Sequence, residues 1–221
     1  MNTTLAILLL ADGRFPAGGH AHSGGVEAAI ADGRITDIDS LAAFVEGRLL
    51  TVGLTEAALA AAAVAATDLR RIDDEADVRI LAPPLRDASR RLGRSLARAA
   101  SRAWPHPVWL TAADAGPNGL HQPVALGVAC TAAGGSATDA ATVAVHHAIN
   151  TPALAAVRLL GFDPLEVAAL TARLAAVGDD VVGAAVDASY GALADLPALG
   201  GPLLDVAALE HRDRSIRMFA T

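Results

Sequence analysis

Aromatic side chains make up only 3% of this 221-residue chain, and it contains no lysine whatever. Scarce aromatics, with almost no alternating apolar/polar runs or Asn-Gly hairpin turns, argue against a β architecture. The missing lysine excludes Schiff-base chemistry and a phosphate loop of the kind that needs a lysine to reach the phosphates. A single cysteine, Cys130, rules out an intramolecular disulfide or a thiolate metal cluster, and a reducing cytoplasm is the expected home. The first ten residues lack a basic region and a long apolar stretch, so no secretory signal is expected. Mean hydropathy is high at +0.40, yet each candidate membrane span is interrupted. Gly134 and Gly135 break the first, and His146, His147, Asn150 and Pro152 break the second.

What is present is 53% hydrophobic residues, mostly alanine with leucine and valine. Alanine is the strongest helix former. The expected fold class is therefore all-α, an irregular bundle of about eight to ten helices forming one domain over residues 1–221. A formal charge of −7 repels a polyanion, so nucleic acid is not an expected partner. An alanine-rich surface with little polar cover predicts exposed apolar patches where other chains dock, and hence oligomerisation.

Along the chain, residues 3–10 read as a helix broken by a glycine-rich stretch from Asp12 to Gly25. Thr36 or Asp37 can cap a helix carrying Leu41, Phe44, Val45, Leu49 and Val52 on one stripe, with Gly53 separating it from the alanine run 56–66. Asp68, Asp73, Asp74, Glu75 and Asp77 form an acidic patch expected to straddle a turn. The helix from about Leu85 to Ala103 carries Arg86, Arg90, Arg94, Arg98 and Arg102. This stripe is either a solvated face answering the acidic patch or a docking ridge for an acidic partner. Residues 104–120 read as a long irregular connection, the place for a domain boundary if there is one. Pro152 is expected to kink or split a helix from Asp139 to Leu160, and separate helices are expected after Asp163 and from about Asp180 to Leu193.

Few residues offer chemistry. His20 and His22 form a His-x-His pair that could chelate a metal from an extended loop but not from a helix, where positions two apart diverge. His106, His121 and His211 have no carboxylate or cysteine at recognisable ligand spacing and read as structural. Ser23 beside His22 would be the nucleophile of a small helical hydrolase, but no nucleophile elbow surrounds it. Glycines 18, 19, 24 and 25 read more economically as permitting turns and close approach of another chain. A nucleic-acid-binding module built on the arginine stripe is the remaining alternative.

Residues 11–27, AlaAspGlyArgPheProAlaGlyGlyHisAlaHisSerGlyGlyValGlu, resemble the N-terminal signature of the UreF family of urease accessory proteins, with Asp12, Phe15, Pro16, Gly18, His22, Ser23, Gly25 and Glu27 matching in order. Ala11 and Gly13 replace the usual serines, and His20 stands where an aromatic is usual. Three central segments agree as well: Arg86 to Leu96, residues 121–129, and AlaAlaValArgLeu at 155–159. The closing stretch 202–221 is similar to the family's ending, although Glu210 and His211 are reversed, Met218 stands for leucine and Thr221 for serine. After Arg158 and Leu159 the family's glutamine-bearing turn is replaced by LeuGlyPheAspPro, so any role of that glutamine does not carry over.

The resemblance implies an all-helical dimer that binds the accessory protein UreD, also called UreH, and recruits the GTPase UreG. The assembly delivers nickel to apo-urease. In it the chain acts as a scaffold and not an enzyme, with no tightly bound cofactor and nickel handled by the complex. The positions implied for partner binding are Phe15, Pro16, Gly18, Gly19, His22, Ser23, Glu27, Arg158, Asp205, His211, Arg214, Arg217, Met218 and Phe219. His20 and His22 are the weak candidates for touching the metal. Residues 1–10 and 203–221 are expected to order fully only against the UreD-like protein, burying Ile216, Met218 and Phe219 while the interleaved arginines meet acidic surface. Deleting residues 212–221 should abolish pull-down of the UreD-like partner. Undiminished pull-down would refute docking through the tail.

Overall fold

The computed structural model describes residues 3–64, 66–212 and 218–219, with the backbone alone at 211 and 212. Among these residues there are eleven α-helices and no strand. They are α1 (Thr3–Ala11), α2 (Val26–Ala31), α3 (Ile38–Arg48), α4 (Leu54–Ala63), α5 (Leu69–Arg79), α6 (Pro83–Ala103), α7 (Val108–Ala115), α8 (Gln122–Ala132), α9 (Ala137–Leu160), α10 (Pro164–Ser189) and α11 (Pro202–Arg212). The expected all-α bundle is what the chain forms. Because α3 and α4 run into one another, the described chain has ten separate rods.

Helices α4, α8, α9 and α10 make the centre, with α6 laid against α8. The buried residues form one contiguous apolar cluster dominated by alanine. Small side chains bring backbones together. A Cβ on Gly127 of α8 would sit 2.3 Å from the Ala60 carbonyl oxygen and 2.6 Å from the Ala63 Cβ of α4. One on Gly93 of α6 would sit 2.0 Å from the Leu120 carbonyl oxygen, where the chain enters α8. Close packing at crystal-like density then supplies the dispersion contacts that larger side chains would otherwise provide.

Several boundaries differ from expectation, each for a physical reason. Gly53 does not separate two helices: the chain continues through a π-helical turn at Leu49–Gly53. An added Cβ on Gly53 would lie 3.4 Å from the Ala148 Cβ, so the glycine is used for approach to α9 and not as a breaker. The acidic patch is not a turn. Asp68 caps α5 by accepting from the Arg71 amide at 3.2 Å, and the remaining acids lie along that helix. Residues 104–120 are not all irregular, since α7 occupies their middle.

Pro152 neither splits nor ends α9. Its missing N–H leaves the Ala148 carbonyl without its helical donor, and Arg48 Nη1 supplies one from α3 at 3.4 Å. The two helices expected around Asp180 are a single helix, α10. Gly178 in its middle is buried, and a Cβ there would meet Val145 Cγ1 at 3.1 Å. Asp37, one of the two expected caps, caps α3 through a reciprocal bond with Ser40, whereas α9 begins at Ala137, ahead of the expected Asp139, because Ser136 caps it with Asp139 in the same way.

Gly127→Val should destabilise the chain by about 2 kcal/mol or more, because the α4 backbone would have to move aside. Gly47→Ala, in open space on exposed α3, should instead add roughly 0.5–1 kcal/mol. Urea denaturation midpoints of the two variants would measure the contrast.

Candidate partner-docking site

The glycine-rich loop is fixed from beneath. Phe15 is buried and stacks on Trp104 at the end of α6, ring centroids 5.7 Å apart and planes at 24°. Asp12 accepts from the Arg14 side chain and amide, which holds its carboxyl down at about 2. Gly18 takes φ 85° and sits against Leu92 and Ser95 of α6. Ser23 is fully buried, and its hydroxyl accepts from the Glu27 amide at 3.4 Å over the start of α2. Gly25, at φ 92°, leaves room for Leu204 of α11, whose Cδ2 would lie 2.6 Å from an added Cβ. Pro16, Gly19 and His20 are exposed on the outer side.

The tail closes on this loop. Glu27 in the first turn of α2 accepts from the backbone amides of Met218 at 2.6 Å and Phe219 at 3.2 Å. The Phe219 ring is buried beneath the Arg158 guanidinium, 4.9 Å from carbon to centroid. Arg158 Nη1 in turn donates to the His20 carbonyl at 3.2 Å. Thus four distant pieces of sequence, the loop, α2, the end of α9 and the tail, share one node. Met218 points its side chain outward, 66% exposed. Asp205 lies elsewhere: it accepts from the Ala82 amide at 3.3 Å and ties α11 to the start of α6. His211, Arg214 and Arg217 lie outside the described side chains.

Of the implied positions, then, Phe15, Ser23 and Phe219 are buried within the chain itself and shape the surface from below. Outward apolar groups accompany Met218: Leu5, Leu8 and Leu9 on α1, and Leu203, Val206 and Leu209 on α11. His22 is half-buried, and burial, then repulsion from Arg91 and His20, lowers its pKa and favours the neutral ring. Among the described residues no group of three His, Cys, Asp or Glu side chains could hold a metal ion. No described helix is long and apolar enough to cross a membrane.

Two polar constructions were not visible in the sequence. His147 of α9 lies near the Ala11 and Leu10 carbonyls at the end of α1; burial, and to a lesser degree His146, push its pKa down to about 4, against the opposing pull of those carbonyls. The second ties α5, α6 and the approach to α8 together. Arg90 donates to Asp73 at 2.8 Å, Asp77 at 2.9 Å and the Gly119 carbonyl at 2.8 Å. Asp73 also accepts from the His121 amide at 2.7 Å, and His121 Nε2 meets Asp77 at 3.0 Å. Hydrogen bonds from His121 and Arg90 lower the Asp77 pKa, whereas burial lowers that of His121 despite the carboxylate beside it. His121 Nδ1 has no hydrogen-bond partner among the described residues, which fits a neutral ring with Nδ1 as acceptor and Nε2–H as donor to Asp77.

Fold and site together define an all-helical protein in which polar networks such as that of Arg90, Asp73 and Asp77 join helices, and whose least generic surface is a glycine loop pinned to its own tail. The chain belongs to the UreF family, whose sequence profile matches residues 35–175. A urease accessory protein UreF from Mycobacterium sp. (strain JLS) is 44% identical over 223 residues, covering 100% of both chains. Those of Mycolicibacterium vanbaalenii and Mycobacterium tuberculosis (strain H37Rv) are 38% and 40% identical, the first covering 100% of both chains, the second 99% of this chain and 100% of its own.

The pH dependence of stability follows from His147. Its folded pKa, about 4, lies below the ordinary 6.5, so the unfolded chain binds the proton first as the solution is acidified. Stability should be undiminished above pH 6.5 and fall by up to about 1.4 kcal/mol per pH unit toward pH 4, with His121 acting in the same sense. His147→Gln, which keeps a donor but no titrating proton, should flatten that slope in urea denaturation measured at several pH values.

Proposed function

We propose that this chain is a non-enzymatic scaffold in urease maturation. It joins a UreD/UreH-like protein and recruits a UreG-like GTPase, and the assembly inserts nickel into apo-urease. Full-length similarity to proteins named urease accessory protein UreF is the observation that carries the reading. The loop–tail node supports it. Glu27, Arg158 and Phe219 hold the tail against the glycine loop, beside exposed Pro16 and Gly19, and Met218 is left outward for another chain to cover. Phe15, Gly18, His22 and Ser23 then set the shape of that docking surface, and Asp205 sets the placement of α11.

On this reading the chain works as a dimer in the cytoplasm. Nickel is cargo of the assembly and not a resident cofactor, with His20 and His22 supplying at most two ligands along its route. A hydrolase built on Ser23 is disfavoured by geometry, because its hydroxyl is fully buried and engaged with the start of α2.

The test is co-expression of urease structural and accessory proteins with and without this chain, reading nickel content and ureolysis. Omission should leave urease assembled but nickel-poor and inactive. Normal nickel loading without it would sink the proposal.

A further inference from the structure

The arginines of α6 fall into two sets. A spacing of four residues drifts by about 40° per step around a helix, so the stripe turns as it advances. Arg86 and Arg90 face inward work: Arg86 Nη1 donates to the Ile80 and Leu81 carbonyls at 2.8 and 2.9 Å, and Arg90 belongs to the Asp73–Asp77 network. Arg91, Arg94, Arg98 and Arg102 are exposed. Their positions fall within an arc of about 80° and extend roughly 16 Å along the helix. Arg94 keeps one bond, to the Asn118 carbonyl at 2.7 Å. The guanidinium groups of Arg98 and Arg102 have no hydrogen bond or ion pair among the described residues.

A groove of about 280 Å³ runs beside this ridge, floored by Gly93, Ala97, Ala112 and Gly116, with Trp109 on one wall and Arg94 and Arg98 on the rim. Uncompensated positive charge gathered on one face of a chain of net charge −7 is a marked local reversal of the whole-molecule field. We propose that this ridge and groove dock an acidic helical segment of a partner protein, its carboxylates lying along the four arginines and one apolar side chain entering the groove. The ridge is about three helical turns long, which suits such a segment. A nucleic acid strand would run past it into the negative remainder of the surface. The inference goes beyond the scaffold reading, because the ridge requires only the acidic chemistry, whichever protein supplies it.

The experiment titrates the full-length chain into a fluorescein-labelled synthetic helical peptide that carries glutamates at the ridge spacing and leucine on the adjacent face, reading polarisation. Arg98→Glu/Arg102→Glu should weaken binding about tenfold or more, and added salt should weaken binding to the unaltered chain. A lysine-for-glutamate version of the peptide should reverse the preference and bind the doubly altered chain more tightly. Arg98→Gln/Arg102→Gln, checked for an unchanged circular-dichroism melt, should still lose binding roughly threefold and guards against misfolding as the cause. Equal binding by all variants would overturn the proposal. So would an oligonucleotide of matched charge binding as tightly as the peptide, or loss of self-association by the doubly altered chain in sedimentation, which would make the occupant a second copy.

Discussion

Direct approach of helix backbones across alanine and glycine is the constraint on which the molecule rests. With so few aromatics, the core cannot be filled by large side chains, so the helices have to move inward until small ones touch. Gly127 against Ala60 and Ala63, and Gly93 against Leu120, are the points where that approach is closest. Everything outside this centre inherits its position from it: α9 lies on α4, and α9 in turn presents Pro152, Arg158 and His147 to the N-terminal segment and the tail.

Close approach makes unpaired polar atoms expensive, and the chain answers with long side chains that reach across helices. Arg48 supplies the Ala148 carbonyl with the donor that Pro152 lacks. Arg79 serves three carbonyls around Leu193, Leu196 and Pro197 as well as Glu75. Arg90 binds two aspartates and a carbonyl. A planar guanidinium with several fixed donors suits this work better than an ammonium, which gives a physical sense to a chain whose basic residues are all arginine. Removing one member of such a group would strand the others without a partner.

The same logic organises the surface read as the docking site. The glycine loop is not a floppy insertion: Phe15 stacks below it, Gly18 and Gly25 occupy conformations that favour glycine, and the Glu27–Arg158–Phe219 node holds the tail over it. A scaffold gains from such pre-organisation, since less ordering remains to be done when a partner arrives. Leu5, Leu8, Met218 and Leu203 are exposed apolar groups.

Composition was enough to announce an all-α chain, because alanine and leucine favour helix, and a cap at Thr36 or Asp37 was legible because capping is local, although only the structure shows that Asp37 does it, with Ser40. The glycine loop was also legible as special, from its residues alone. What the sequence could not decide were effects joining residues far apart: that Pro152 would be tolerated, that Gly53 and Gly178 would serve the approach of helices, and that Glu27 would hold Met218 and Phe219. It also could not divide the arginine stripe into paired and unpaired halves, since the acids answering Arg90 come from α5. The physical reason is common to all of these. Propensity and capping act over a few residues of chain, whereas burial, desolvation and the pairing of a distant donor exist only once the helices have been brought together.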